Sequence, residues 1–411
     1  MNKIITDYIY RTNFWLDDRS FRYDSIERDF YLRKISRESD KLIDILTGAG
    51  RAGKTYILYS MINKLLDNDI DCKKILYLTG DSREVKEFGL KAIIEEYINL
   101  MKFNYRTKLF IFIDEVQEIK EWQNDIKFYY DSAFFKFYLT GSTGVILNEK
   151  TSKLTGRFIR TNVLPLSFSE YLIFTGARIA SGGTKKNIEL FEEYLKTGGY
   201  PEYVLKRNED YLRQVISSSL YRDLLSYYGI RNPAFLGELL NYLVDKICNP
   251  VSLLRIKNDL KVDYKTAKFY LKYLQDVFLV YPVYKSGRSH KITKSSNPKY
   301  YLNDTGVINL LSISPKIGAL AENAVFLKFM RASKWVDNPP IYYNQESGIE
   351  IDFLVENRNS EVKYRNNYEE IGLSNYNDLI KNITVIVPQK KKAMIEKYPN
   401  INFTESWDFC S

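Results

Sequence analysis

The segment with the clearest chemical signature contains glycines, a lysine and a hydroxyl residue at the spacing GxxxxGK[ST]. Its residues are Gly48, Ala49, Gly50, Arg51, Ala52, Gly53, Lys54 and Thr55. Glycine lets the backbone turn so that successive N–H groups point at one phosphate. Lys54 is then placed to reach the β- and γ-phosphates, and the Thr55 hydroxyl to bind Mg²⁺. The pattern predicts a site for ATP or ADP with Mg²⁺, beside which Arg51 is either a second cation or a side chain directed to solvent.

Two acidic residues would complete this chemistry. Asp114 and Glu115 directly follow the apolar run Leu109–Ile113, downstream of the glycine segment. Transfer of a phosphoryl group to water needs a metal clamp and a group that orients or deprotonates the water. We therefore expect Asp114 to hold Mg²⁺ through water, Glu115 to polarise the attacking water, and both acids to face the glycine turn.

Three further residues are candidates for contact with the γ-phosphate. Thr140 and Ser142 follow the apolar run 137–139, where one of them would sense the phosphate or the water, unless this is a solvated strand end. Arg157 fits an arginine finger, which acts either in cis or in trans, but arginine is also common on surfaces.

Short apolar runs alternate with helical patterns between Leu42 and Ser167. Strands are expected at 42–46, 75–78, 109–113 and 137–139, and helices at 55–66 and 85–101. This alternation predicts an α/β fold with a parallel sheet that is covered by helices on both faces.

The composition excludes several other chemistries. The chain of 411 residues has one histidine, His290, so a zinc site with two or three histidine ligands is impossible. Its cysteines, Cys72, Cys248 and Cys410, lie far apart and form no CxxC pair, which is typical of free thiols in a reducing compartment.

Charge and hydropathy bear on partners and location. Lys and Arg number 60 against 51 Asp and Glu, so the net charge of +9 is compatible with nucleic acid or another polyanion. No apolar run approaches the roughly 18 residues that would span a bilayer. The first residues turn polar too early for a signal peptide. We expect a cytoplasmic protein without a membrane partner.

Several motifs occur together in an order that resembles a known family. They are LTGAGRAGKT, FIDEVQEIKEW, FYLTGS, LTGRF…LPLSFSEYL and TGGYPEYV. In these segments the chain resembles AAA-type ATPases that carry a C-terminal DUF4143 region. The resemblance implies a P-loop parallel-sheet ATPase core, a helical region with a winged helix, and a restriction-endonuclease-like α/β domain. We place these three domains at 1–170, 171–297 and 298–411.

The middle region has the element order of a winged helix. Helices are expected at 235–247, 250–260 and 263–275, the last with Asp263 as its N-cap, and a strand at 278–284. Basic residues recur on the third helix and in the segment that follows the strand. The candidate nucleic-acid contacts are Lys261, Lys265, Lys268, Lys272, Arg288 and Lys291. These residues fit a surface for DNA or RNA phosphates, a solvated lysine face, or a protein-docking module.

The last region contains an arrangement similar to PD-(D/E)xK nucleases. Asp352 lies on one expected strand, and Glu361 and Lys363 share a face of the next, because side chains in a strand alternate. The resemblance implies that Asp352 and Glu361 bind Mg²⁺, that Glu322 completes the site, and that Lys363 steadies the attacking water. Such folds also serve as binding platforms without cleavage.

Three functions fit these residues. The first is a Mg²⁺-dependent ATPase that couples hydrolysis to a conformational change on DNA. The second is a nucleotide-dependent switch that docks a protein partner and has a non-catalytic tail. The third is an ATP-gated, metal-dependent DNA nuclease. The oligomeric state stays open, since AAA relatives often form rings, whereas members of this branch could also work as monomers.

Overall fold

The computed structural model describes residues 2–37, 41–104, 106–132, 134–141, 154–228, 232–287, 296–333, 339–346, 348–364, 373, 376 and 383–411. The chain divides into two compact units, Met1–Val163 and Leu164–Ser411. The three-domain boundaries proposed from the sequence stay predictions.

The first unit is built on a five-stranded parallel sheet. Its strands are β1 (Ile43–Thr47), β2 (Ile75–Thr79), β3 (Leu109–Asp114), β4 (Phe135–Gly141) and β5 (Phe158–Asn162). Their order in the sheet is β2-β3-β4-β1-β5, and every pairing is parallel. The inner strands β1 and β4 are buried along their whole length, which explains their continuous apolar runs. The sheet confirms the fold class expected from the alternating pattern.

Helices cover this sheet. They are α1 (Lys3–Thr12), α2 (Asp29–Arg37), α3 (Lys54–Asp67), α4 (Arg83–Phe88), α5 (Leu90–Leu100) and α6 (Trp122–Tyr130). The single helix expected at 85–101 is two helices, because Gly89 has φ +81° and ψ 160° and breaks the helical backbone. The lead-in also contributes to the core, since Ile5, Tyr8 and Trp15 are buried.

The second unit contains a seven-stranded mixed sheet. Its strands are β6 (Val280–Lys285), β7 (Lys299–Leu302), β8 (Ile341–Glu346), β9 (Ile349–Val355), β10 (Arg358–Val362), β11 (Ile383–Val387) and β12 (Asn402–Glu405). Their order is β12-β11-β10-β9-β8-β6-β7. The hairpin β6–β7 is antiparallel, and β6 pairs in parallel with β8. A bridge between Pro250 and Lys299 adds a short backbone contact beside this hairpin.

Helices precede and flank this sheet. They are α7 (Phe168–Thr175), α8 (Thr184–Thr197), α9 (Pro201–Lys206), α10 (Glu209–Tyr228), α11 (Pro233–Asp245), α12 (Leu253–Asp259), α13 (Tyr264–Asp276), α14 (Thr305–Leu311), α15 (Ile317–Ala332), α16 (Lys392–Lys397) and α17 (Ser406–Cys410). Asp263 caps α13 as expected, because its side chain accepts hydrogen bonds from the backbone N–H groups of Lys265 and Thr266.

The TGGYPEYV motif forms a close backbone contact inside the second unit. The Gly199 N–H donates to the Asp304 carboxylate at 2.6 Å, and a Cβ on Gly198 would lie 2.1 Å from the same carboxylate. Asp304 also caps α14 by accepting from the Val307 N–H. The glycines of this motif therefore serve packing. Within the residue ranges given above, no helix is both long and apolar enough to cross a bilayer.

Candidate functional site

The glycine segment connects β1 to α3 through an unusual backbone path. Gly48, Arg51 and Gly53 have φ angles of +148°, +61° and +96°. A Cβ on Gly48 would lie 2.2 Å from the Val163 carbonyl oxygen, so no other residue fits there. The sharp turn and the start of α3 follow from these glycines.

Lys54 begins α3 and lies inside this turn. Its side chain is 4% exposed, and its ammonium donates hydrogen bonds of 3.0 Å to the carbonyl oxygens of Gly48 and Ala49. The N-cap of α3 is Gly53, which has no side chain to accept from the first N–H groups of the helix. Uncapped N–H groups and a buried ammonium form an environment that favours an anion.

An arginine of the lead-in supports the turn. The Arg28 guanidinium is buried and donates a 2.8 Å hydrogen bond to the Ala52 carbonyl oxygen. The same guanidinium lies over the Tyr31 ring, 4.6 Å from its centre. Sequence reasoning missed Arg28, because nothing in the polar lead-in distinguishes it from neighbouring charged residues.

Asp114 lies at the end of β3, beside the glycine turn. The Thr55 hydroxyl donates to its Oδ2 at 2.7 Å, and the Thr140 hydroxyl donates to its Oδ1. The Tyr77 hydroxyl is 3.4 Å from Oδ2. Burial, and then the charge of Glu115, raise the pKa of Asp114 above its ordinary value. The raised pKa marks a carboxylate that a nearby cation would stabilise.

Glu115 follows in a left-handed conformation, with φ 50° and ψ 51°. Its N–H donates to the Thr140 hydroxyl oxygen at 2.9 Å, and the Gln117 amide donates to its carboxylate. Gly80 packs against its backbone, since a Cβ on Gly80 would lie 2.3 Å from the Glu115 carbonyl oxygen. Neighbouring elements thus hold a conformation that is uncommon for glutamate.

The structure brings together most of the predicted nucleotide-site residues. Thr55, Asp114, Glu115 and Thr140 form one connected hydrogen-bond network, whereas Ser142 lies outside the described residues. Thr140 belongs to the site because it lies on β4, the strand next to β3. Its hydroxyl contacts both the Asp114 carboxylate and the Glu115 N–H.

Arg157 lies elsewhere in the first unit. Ile43 pairs with Phe158, and Thr47 with Asn162, so Arg157 is at the amino-terminal edge of the sheet and the glycine turn is at the carboxyl edge. Four to five residues of strand separate the two edges by roughly 15 Å. Arg157 instead lies 3.5 Å from Asp131. The expectation of a finger in cis is therefore wrong for this geometry, and a role in trans stays a prediction.

The donor set at the glycine turn fits Mg²⁺. A buried carboxylate and a threonine hydroxyl, Asp114 and Thr55, meet at 2.7 Å, and Mg²⁺ prefers oxygen ligands of this kind supplemented by water and phosphate.

The nuclease-like residues also come together, in the second unit. Glu322 lies on α15, Asp352 on β9 and Glu361 on β10, with Lys363 directly after β10. The Lys363 ammonium lies 2.5 Å from Glu361 Oε1, as the alternation of strand side chains predicted. The Asp352 N–H donates to Glu361 Oε2 at 3.0 Å. We call the four acids Glu322, Glu350, Asp352 and Glu361 the acidic cluster.

A lysine that sequence reasoning missed lies at the centre of the acidic cluster. The Lys299 ammonium is 3.0 Å from Glu350 Oε1, 3.1 Å from Asp352 Oδ1 and 3.6 Å from Glu322 Oε1. Its side chain is 2% exposed. Lys299 is the first residue of β7. Because it follows a segment rich in lysine and arginine, the sequence pattern indicated a surface position for it.

Burial determines the titration of this cluster. Burial, with the charge of Asp352, raises the pKa of both Glu322 and Glu361 above the usual range for glutamate. Burial alone would lower the pKa of Lys299, but Glu322, Asp352 and Glu350 raise it overall. Lys299 therefore stays charged at any physiological pH.

The predicted nucleic-acid contacts are partly described. Lys265 and Lys268 are exposed on α13, while Lys261 is exposed just before the helix, with φ 53°, rather than on it. Lys272 lies 2.5 Å from Asp276 on the same helix. Arg288 and Lys291 lie outside the described residues.

Comparison with known families agrees with the motifs. Residues 40–172 match the family described as an AAA domain, and residues 317–406 match DUF4143. Residues 188–317 match DUF8612, which like DUF4143 is a domain of unknown function. The chain thus contains a segment that matches an AAA domain, followed by a C-terminal segment that matches DUF4143.

Related chains are themselves without assigned functions. The uncharacterized protein MJ1544 of Methanocaldococcus jannaschii is 29% identical over 352 residues, which cover 82% of this chain and 76% of the relative. An uncharacterized protein of Haemophilus influenzae is 26% identical over 343 residues, 80% of this chain and 84% of the relative.

Solved structures overlap only loosely. A DNA replication initiation factor shares 16% identity, covers 63% of this chain and 92% of its own, and has a TM-score of 0.30. The Hsp104–ADP complex of S. cerevisiae shares 16% identity over 64% of this chain and 40% of its own, with a TM-score of 0.33. Overlaps of this size establish nothing about function.

Proposed function

We propose that the first unit hydrolyses ATP to ADP and phosphate with Mg²⁺. The observation that carries this proposal is the 2.7 Å hydrogen bond between the Thr55 hydroxyl and Asp114, which joins the glycine turn to the acid strand. Thr55 and Asp114 would hold the metal, which when bound neutralises charge on the phosphates.

The residues of the turn have distinct tasks in this reaction. The N–H groups of the turn and of the first turn of α3 bind phosphate oxygens, and Lys54 adds a fixed positive charge beside them. Thr140 holds the Glu115 backbone through the N–H hydrogen bond of 2.9 Å. Glu115 orients a water and takes its proton as the water oxygen attacks the γ-phosphorus and the bond to the ADP oxygen breaks.

Nucleotide binding and turnover test this proposal in the full-length protein. Lys54→Ala should abolish ATP binding measured by calorimetry, whereas Lys64→Ala, a lysine in the last turn of the same helix, should bind ATP as the wild type does. Glu115→Gln should bind ATP and retain it unhydrolysed. Wild-type protein that shows no heat with ATP and Mg²⁺ would refute the assignment.

We further propose that turnover is coupled to a conformational change on nucleic acid, with DNA as the first candidate. The support is the element order α11, α12, α13 and the hairpin β6–β7, with the Pro250–Lys299 bridge beside the hairpin, which is the order of a winged helix. Lys261, Lys265 and Lys268 present positive charge on its third helix and the preceding turn.

DNA-dependent turnover separates this coupling from a switch that docks a protein. We expect duplex or branched DNA to stimulate ATP hydrolysis, and the combined variant Lys261→Glu, Lys265→Glu, Lys268→Glu to lose the stimulation and keep the basal rate. Charge reversal of Lys390, Lys391 and Lys392 changes the charge equally and serves as the control. Turnover that DNA does not alter would favour the protein-docking switch.

A further inference from the structure

We propose that the Lys299 ammonium occupies the cation position of the acidic cluster, so that the cluster binds no divalent metal and cleaves no phosphodiester. Lys299 contacts Glu322, Glu350 and Asp352 at 3.0 to 3.6 Å, from a side chain that is almost fully buried. This inference goes beyond the proposed ATPase function and concerns a different unit of the chain.

The acids converge on the ammonium from two elements. Glu350 and Asp352 lie two residues apart on β9, and Glu322 projects from α15. An ammonium has three N–H donors and no acceptor. The Lys299 ammonium donates to Asp352 at 3.1 Å, lies 3.0 Å from Glu350, and has Glu322 at an ion-pair distance of 3.6 Å. The carboxylates that would be needed to bind a metal ion at this place are the ones that surround the Lys299 ammonium.

Further hydrogen bonds engage three of these acids. Asp352 Oδ2 accepts from the Val362 N–H at 3.0 Å, and Glu322 Oε1 accepts from the Tyr301 hydroxyl at 2.7 Å. Glu361 Oε1 accepts from the Tyr376 hydroxyl at 3.1 Å and pairs with Lys363. Mg²⁺ needs a near-octahedral shell of oxygens at about 2.0–2.1 Å, whereas Asp352 and Glu361 already pair with the Lys299 and Lys363 ammonium groups.

Like charge opposes a metal as well. An ion that shared Asp352 with Lys299 would lie within a few ångströms of a positive charge in a buried environment, where repulsion is strong. The predicted Mg²⁺ set of Asp352, Glu361 and Glu322 therefore does not fit a metal as this cluster stands. Among the described residues, no group of three or more His, Cys, Asp or Glu side chains is arranged to hold one.

The cluster has a structural task instead. Lys299 belongs to the hairpin β6–β7, while its acidic partners belong to α15 and β9. The ion pairs thus tie β7, the edge strand of the seven-stranded sheet, to β9 of the same sheet and to α15. In this arrangement the cluster stabilises the second unit and does not cut phosphodiesters.

Metal binding to the full chain tests the proposal. The measurement uses Mn²⁺ and electron paramagnetic resonance, without nucleotide, in an Asp114→Asn background that removes the predicted metal ligand of the first unit. We expect no bound Mn²⁺ in this background at millimolar concentration. Adding Lys299→Met should create a Mn²⁺ site and lower the melting temperature, and Mn²⁺ should restore part of the loss.

Each outcome decides the matter. Lys268→Met, at an exposed lysine of the same unit, is the control and should gain no Mn²⁺ site. Bound Mn²⁺ in the Asp114→Asn background that disappears with Asp352→Asn would overturn the proposal, as would a folded Lys299→Met protein that gains none. If Lys299→Met does not fold, the Asp114→Asn background alone decides.

Cleavage provides a second, independent measurement. Wild-type protein with Mg²⁺ or Mn²⁺ should leave linear and branched DNA intact, whatever its ATPase rate. Metal-dependent cutting by the wild type that Asp352→Ala abolishes would show that the cluster is a nuclease centre. ATP turnover is read separately through Lys54→Ala, so failure here leaves the proposed function standing.

Discussion

The two groups of acids in this chain differ in whether a lysine ammonium pairs with them directly. At the end of β3, Asp114 is hydrogen-bonded to hydroxyl groups, and the nearby Lys54 ammonium donates to loop carbonyls. In the acidic cluster, Lys299 pairs with Asp352 directly. Burial raises the pKa of Asp114 and of Glu361, because in both regions it makes the ionised form of the carboxylate less favourable. The hydrogen-bond partners of Asp114 described above are neutral hydroxyl groups, whereas Asp352 is paired with an ammonium. Similar residue types therefore do not by themselves define a metal site.

Removal of divalent metal should separate the two regions most clearly. EDTA should reduce ATP turnover by at least about 10³-fold, because metal neutralisation of the phosphates contributes several kcal/mol to the transition state. The melting temperature of the nucleotide-free protein should not change in the same buffer. Steady-state phosphate release and calorimetric melting measure the two quantities. An EDTA-sensitive melting temperature that persists in an Asp114→Asn background would mean that the acidic cluster holds a metal after all.

Loss of the water-orienting carboxylate should be nearly as large. Glu115→Gln should reduce kcat by about 10²–10⁴-fold, because general-base assistance is lost while phosphate binding is kept. Single-turnover hydrolysis measures the effect. Glu118→Gln, three residues later and paired with Lys86 at the surface, should behave as the wild type. A Glu115→Gln protein that hydrolyses ATP normally would show that another residue orients the water.

Lys299→Met should destabilise the second unit without a direct effect on nucleotide binding. Removal of one partner from a buried ion pair leaves uncompensated charge and costs about 3–5 kcal/mol. Urea unfolding at neutral pH measures this free energy, with Lys265→Met as the exposed control. A cost equal to that of the control would mean that the acids do not depend on Lys299.

The acidic cluster should also make stability depend on pH. Burial raises the pKa of Glu361 to about 7 and that of Glu322 to about 8, whereas unfolded glutamate titrates near 4.3. For acids whose folded pKa is raised, the stabilising contribution is complete below the unfolded value and is lost as pH rises through the folded values. The pKa of Lys299 and of Lys363 lies above this window.

The free energy of unfolding should therefore fall by about 4 kcal/mol between pH 6 and pH 8.5. Urea titrations at the two pH values measure the change. Glu361→Gln, which cannot ionise, should show a smaller fall than the wild type. A stability that rises over this interval would contradict the assigned direction.

The smallest expected effect concerns the basic surface of α13. Lys265→Ala should weaken DNA binding only severalfold and lower the slope of log affinity against log salt by about 1, because one phosphate contact is lost. Fluorescence anisotropy at several salt concentrations measures both. Lys272→Ala should have less effect, since that ammonium already pairs with Asp276. Equal losses for the two variants would place the DNA surface elsewhere.

Sequence patterns predicted best those features that depend on residues close together in the chain. The glycine turn, the acids at the end of β3, and the Asp263 cap depend on neighbouring residues, and the structure has them where the sequence placed them. Helix continuity was harder to judge, because apolar periodicity persists across 85–101 although Gly89 breaks the backbone. Periodicity reports which face is buried and does not report whether the axis continues.

The sequence by itself determined that this chain has a glycine turn of GxxxxGK[ST] spacing, an acidic pair at the end of a strand and an α/β core, because those features are encoded by local spacing. Only the tertiary structure decided which distant charges meet. Arg28 supports the glycine turn, Arg157 lies at the opposite edge of its sheet, and Lys299 fills the acidic cluster. Such pairings join residues far apart in the chain, and burial then makes them strong, so no local pattern records them.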